Sequence, residues 1–194
     1  LTGFDLTDDF KIDPEFIIDK IHDVRSSEIY NEWKMKMLDD AYYQKMCCLE
    51  VLCEETECTI NGITVGTGLK NYYVQLPGLN TRIEWDNIAY FGTVDMQNNF
   101  NRKTFDGLMA LQGNRWTANQ PAYTIVGDKA YIKNLPSTGT RFLCLVGILD
   151  NPTSSCDYLE ETSPYPVPDA IKLELRVKQE ILSSFGIPKD KQQD

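Results

Sequence analysis

No apolar run in this chain approaches the roughly 18 residues needed to cross a bilayer, so no membrane span is expected. The opening Leu1-Thr2-Gly3-Phe4 carries neither the basic region nor the apolar core of a secretory signal, and its first residue is not Met, which leaves room for a preceding segment. Positive charge is scarce: 19 Lys and Arg face 29 Asp and Glu, giving a net charge of −10. A general nucleic-acid binder needs cations to neutralise phosphates, so this balance argues against one while leaving a local basic patch open. Otherwise the charge reads as solubility. Histidine is nearly absent, and His22 is the single possible imidazole base. It falls beside Ile18 and Arg25 on a predicted helix, with no Ser or Cys near it in sequence, so a helix-surface role is expected.

Other catalytic and ligand-binding signatures are missing as well. "GITVGTGLKN" has glycines but lacks the Gly-Lys-Ser/Thr triplet of a phosphate loop, and Gly66 and Gly68 read as turn or bulge residues. The doublets Asp39-Asp40, Glu54-Glu55 and Glu160-Glu161 have no calcium-binding loop around them and read as solvated turns. Cysteine is present, at positions 47, 48, 53, 58, 144 and 156. Zinc sites show close pairs such as C-x₂-C, whereas the shortest spacings here are adjacent residues and C-x₄-C. With no secretory signal and a chain of 194 residues that does not need cross-links, free thiols are expected. Trp33, Trp85 and Trp116 read as core or interface anchors before they read as a sugar platform. "FNRKTF" at 100–105 is the one compact basic-aromatic cluster; its Arg102 and Lys103 could touch nucleic acid, a solvated loop being the default. No catalytic, metal-binding or cofactor-binding residue is therefore expected, and the chain is not expected to be an enzyme.

What is present is the pattern of a folded domain, 42% apolar and 25% charged. Asp13 is a good N-cap, Pro14 suits the first helical position, and Ile17, Ile21 and Val24 share a face closed by Glu28, which predicts a helix from 14 to about 28. Residues 29–42 fit two patterns: Trp33, Met35 and Met37 alternate as in a strand, while Leu38-Asp39-Asp40 suits the start of a helical turn. From 43 to 150 strands dominate. "YYQKMCCLEVLCEE" reads as one strand, Asn61-Gly62 as a tight turn, "NYYVQLPGL" as a strand stopped by Pro77-Gly78, and 122–135 as a hairpin turning at Gly127-Asp128. "TRIEWDNIAYFGTVD" alternates and then shifts phase near Asn87. Residues 97–116 hold either a short helix near 102–111 or a long loop. "TRFLCLVGILDNP" is an apolar strand. The expected fold is α+β: a mostly antiparallel β domain, barrel-like or sandwich-like, with an N-terminal helix and a C-terminal helix. A domain over 1–162 would be followed by an arm and helix over 163–194.

In that arm Pro164, Pro166 and Pro168 stand at alternate positions, a semi-rigid extended run. The helix after it has acidic Asp169 at its start and Gly186 and Pro188 beyond its end. Ile171, Leu175, Ile181, Leu182 and Phe185 give an imperfect apolar row, with Leu173 and Val177 elsewhere on the circumference. Pro164, Pro166, Pro168, Ile171, Leu175, Leu182 and Phe185 are the expected assembly interface, a stiffened arm presenting a helix to a groove on another subunit.

The order of elements carries a resemblance: "LTDDFKIDPEFIIDKIHDVRSSEI", then "YYQKMCCLEVL", an acidic Cys-containing turn, the "AYTIVGDKAYIKNL" hairpin, "FLCLVGILDNP" and the "YPVPDAIKLELRVKQEIL" helix. This set resembles the neck and ring proteins of tailed phages, particularly the crAss-like phages of gut Bacteroidales. The resemblance implies a virion structural protein, assembled in the host cytoplasm, that forms a roughly twelve-fold ring below the portal. Its partners would be further copies of itself, the portal and other neck or tail proteins. Genomic DNA would pass through the channel without specific binding, and no membrane or cofactor would be involved. A β-rich receptor-binding or carbohydrate-binding module is the alternative, which exposed Trp85 and Trp116 would favour. An enzyme would need a cleft gathering His22 with a Cys or Ser and a carboxylate.

Overall fold

The computed structural model describes residues 13–60, 63–111, 117, 119–136, 140–156 and 165–184. The fold is α+β, as expected, and the chain forms two compact units. One joins Leu1–Tyr42 with Tyr165–Asp194; the other is Tyr43–Pro164. This differs from the expected division at 162/163, because the N-terminal helix belongs with the C-terminal helix and not with the strands.

In the helical unit, α1 spans Pro14–Lys34, six residues past the expected end. Asp13 caps it by accepting the Glu15 N–H at 3.0 Å. The strand pattern of Trp33, Met35 and Met37 is not realised. Trp33 stays on the helix, its ring 6.0 Å from that of Tyr30. The helix stops where Lys36 takes a left-handed conformation (φ 59°) and donates its N–H to the Trp33 carbonyl. A 3₁₀ turn at Asp40–Tyr42 follows.

The last helix, α3, is Ala170–Ser184 when counted after the short α2 described below. Asp169 accepts the Lys172 N–H at 3.0 Å, which makes it the N-cap. Leu173 and Val177 pack on Val24 of α1, with Ile21, Tyr165, Val167 and Ile181 around them. Glu28, buried on α1, receives Arg176 at 2.9 Å and Lys172 at 4.0 Å from α3. Arg25 is fully buried; its Nε donates to the Pro166 carbonyl at 3.1 Å and its Nη2 to the Tyr42 carbonyl at 3.3 Å. The Tyr42 and Tyr165 rings lie 6.0 and 5.9 Å from the guanidinium carbon. The described part of the proline arm is therefore no extended strut. The Val167 N–H turns back to the Tyr165 carbonyl at 2.9 Å, and Pro166 is buried.

In the β unit the expected single strand over 43–55 breaks at Val51 into β1 (Gln44–Glu50) and β2 (Leu52–Ile60). β2 pairs with the long β3 (Ile63–Gln75), and Ile60 faces Ile63 across the Asn61-Gly62 position, which itself lies outside the described residues. The register slips between Glu55 and Glu57, opposite the segment holding Gly66 and Gly68, which fits a bulge there. Residues Thr81–Asn87 form a 3₁₀ helix where an alternating strand was expected. Buried Asn80 caps it by accepting the Arg82 N–H, and buried Asn87 donates to the Asn80 carbonyl. The phase shift at Asn87 marks the start of β4 (Ile88–Thr93). Then come β5 (Asn101–Arg102), α2 (Phe105–Ala110), β6 (Ala122–Val126), β7 (Lys129–Lys133) and β8 (Phe142–Gly147). Gly127 turns the β6–β7 hairpin at φ +63°, a conformation glycine adopts without strain.

The strands form two sheets, ordered β1-β8-β4 and β2-β3-β7-β6-β5, antiparallel except for β5 with β6. One core joins them: Met46, Leu49, Phe91, Leu143 and Leu145 from the first sheet meet Val74, Tyr123, Ala130 and Ile132 from the second. The expectation of free thiols is corrected here. The β1–β8 register shifts between Met46 and Leu49, and this bulge gives the two adjacent cysteines different partners. Cys47 is bonded to Cys144 on β8, and Cys48 to Cys156 in the segment after it. Cys53 is free and exposed. Peptide mapping after alkylation without reductant should recover the 47–144 and 48–156 linked peptides and an alkylated Cys53. Alkylation of all these cysteines in the native, unreduced protein would contradict the pairing.

Candidate functional sites: the outer face of the C-terminal helix and the Trp85 cleft

Two surfaces stand out, one in each unit. On α3, Ile171, Leu175 and Leu182 are 72%, 52% and 45% exposed. At 100° per residue they fall within a sector of about 40°, and Lys178 lies beside them. Leu173 and Val177 point to the opposite side. The row expected to dock thus faces solvent, while the residues that seemed off the row hold the helix to α1. A sequence pattern shows that two apolar faces exist but not which one a distant segment will cover. Of the remaining expected interface residues, Pro166 is buried, Pro168 is exposed, and Pro164 and Phe185 lie outside the described residues.

The second surface is an open cleft of about 540 Å³ in the β unit, lined by the Leu76–Leu79 segment, the 3₁₀ helix, Arg102, Ile125 and the Gly127-Asp128 turn. Its frame is pinned by backbone bonds: Leu76 N–H to Asp128 O at 2.8 Å and Asp150 N–H to Gly78 O at 2.9 Å. Trp85 stands half exposed at this cleft with the Arg102 guanidinium 4.3 Å over its ring. One Arg102 nitrogen also donates to Asn87 Oδ1 at 3.3 Å and to the Trp85 carbonyl at 3.4 Å. On β6, paired beside Arg102 in the sheet, burial pushes the Tyr123 phenol up to about 12, partly offset by Arg102 itself, so it stays neutral. The Trp85–Arg102 pairing had no sequence signal, since the two residues sit on separate elements.

This arrangement takes apart the "FNRKTF" cluster. Phe100 is buried edge-on against Phe91, Arg102 lies over Trp85, and Lys103 and Phe105 are exposed. His22 is on α1 as expected, its Nδ1 2.9 Å from the Tyr165 hydroxyl. Asp39 accepts the Ala41 N–H at 2.8 Å to start the 3₁₀ turn, and Glu54 meets Lys129 at 3.7 Å, so both act structurally. Burial pushes the Tyr42 phenol well above its usual range, reinforced by the Glu32 and Glu28 carboxylates and opposed by Arg25. Among the described residues no group of three or more His, Cys, Asp or Glu is placed to hold a metal ion, and no helix is long and apolar enough to cross a membrane. Glu160-Glu161 and Trp116 lie outside the described residues.

Among known proteins, no family model matches the chain and no curated protein sequence matches it.

With Arg102 engaged and a net charge of −10, duplex DNA should bind no tighter than the ~10⁻⁴–10⁻⁶ M of weak non-specific association at physiological salt. Filter binding should give the same weak signal for the R102A/K103A variant. Submicromolar binding with a steep salt slope, lost in that variant, would overturn this.

Proposed function

We propose that the chain is a virion structural protein of a tailed-phage neck, forming a ring below the portal that joins capsid to tail and continues the DNA channel. The observation that carries the reading is the second apolar face of α3. Its inner face is used within the chain, and a stripe of three large aliphatic side chains remains open outside. Exposed apolar patches of this kind mark protein–protein contacts. A head-to-tail contact repeated between copies closes into a ring when its rotation allows. The acidic balance supports the same reading, because a channel wall that repels phosphate lets DNA slide. The resemblance in element order supports it independently of the stripe. A glycan-binding module is favoured by one feature, half-exposed Trp85, but the Arg102 guanidinium occupies a face of the ring on which a sugar would stack.

Mass photometry and negative-stain imaging of the purified chain test this. A closed ring of roughly twelve copies is expected. The I171E/L175E variant should give monomers with an unchanged thermal melt, because both positions face solvent within the unit. A wild-type chain that stays monomeric at micromolar concentrations and beyond would refute the proposal.

A further inference from the structure

The two open surfaces differ in kind, and each has what the other lacks. The α3 stripe is convex and aliphatic, with cationic Lys178 between Leu175 and Leu182. The cleft is concave, with an apolar floor from Leu76, Leu79 and Ile125. Trp85 forms one wall, and two carboxylates, Asp128 and Asp150, also line it. Both carboxylates belong to exposed residues, and Lys178, 63% exposed, pairs with equally exposed Glu174 one turn earlier at 2.6 Å, a solvent-facing ion pair it can share with or exchange for a carboxylate of the cleft. A volume of about 540 Å³ lies in the range of pockets that enclose small ligands, so it takes a row of side chains and not a whole helix.

We propose that the outer stripe of α3 in one copy seats its Leu175 and Leu182 in the Trp85 cleft of the next copy, with Lys178 facing Asp128. This rests on the ring reading and specifies its contact. The contact is heterologous: the cleft of each copy receives a helix from one neighbour, while its own helix enters the cleft of the other neighbour. Such contacts propagate around a ring. A half-exposed Trp beside an apolar floor is the kind of residue that carries a large share of interface energy once covered. The Lys178–Asp128 pair sets the register of the helix in the cleft, since like charges at that point would repel.

Mixing variants tests the pairing of surfaces. L175E spoils the stripe and leaves the cleft; W85A spoils the cleft and leaves the stripe. Each alone should need at least about tenfold more protein to assemble than wild type. An equimolar mixture should instead give a discrete dimer, as the intact stripe of W85A enters the intact cleft of L175E and neither can continue the ring. D128R, on an exposed turn, replaces W85A if the latter lowers the thermal melt, and K178D should restore assembly to D128R. Rings that persist in W85A and D128R but dissolve in L175E would refute this contact and leave the ring reading standing. A mixture that stays monomeric would also refute it. A wild-type chain that never assembles would remove both.

Discussion

The buried guanidinium of Arg25 is the constraint on which the helical unit depends. A charge taken out of water is tolerated only when its donors are satisfied, and a buried cation stripped of partners costs about 3–5 kcal/mol. Arg25 finds the Tyr42 carbonyl 17 residues away in sequence and the Pro166 carbonyl 141 residues away, with the Tyr42 and Tyr165 rings around it. Satisfying one side chain therefore brings the first and last described segments of the chain together. Once Pro166 is fixed, the start of α3 is fixed four residues later. Leu173 and Val177 then meet Val24, and Arg176 reaches Glu28. The direction of the outer stripe follows from these contacts, so the proposed assembly surface is a consequence of Arg25.

The β unit is organised by a different device, the irregularity in β1. A regular strand would point Cys47 and Cys48 to opposite faces with evenly spaced partners. The bulge between Met46 and Leu49 instead bonds one to β8 and the other to the segment beyond it. Val51 then ends the strand and hands the chain to the second sheet, with its N–H bonded to the Arg141 carbonyl at 2.9 Å. One short run of sequence thus starts both sheets and is tied to the strand that lies between β1 and β4.

Much of the architecture was legible in the sequence because its signals are local. Asp13-Pro14 starts α1, Gly127-Asp128 turns a hairpin, and acidic Asp169 opens α3. Most of the misreadings needed a partner far along the chain, the exception being the 81–87 stretch, whose closing bonds are local. The cysteine pairs span 97 and 108 residues. The 81–87 stretch alternates like a strand, yet two buried asparagines close it into a 3₁₀ helix. α3 carries apolar residues on two sides, and only the position of α1 decides which side is inner. The Trp85–Arg102 cleft was illegible for the same reason, since cation–π pairs between separate elements leave no spacing rule.

Native-state hydrogen exchange on the wild-type chain tests the central claim most directly. If Arg25 locks the two ends into one unit, amides in 24–29 of α1 and 173–177 of α3 should open together with a single free energy and equal denaturant dependence. A 15-residue helix on its own is marginal in water. Fast exchange of α3 at the rate of such an isolated helix, with α1 still protected, would contradict the account.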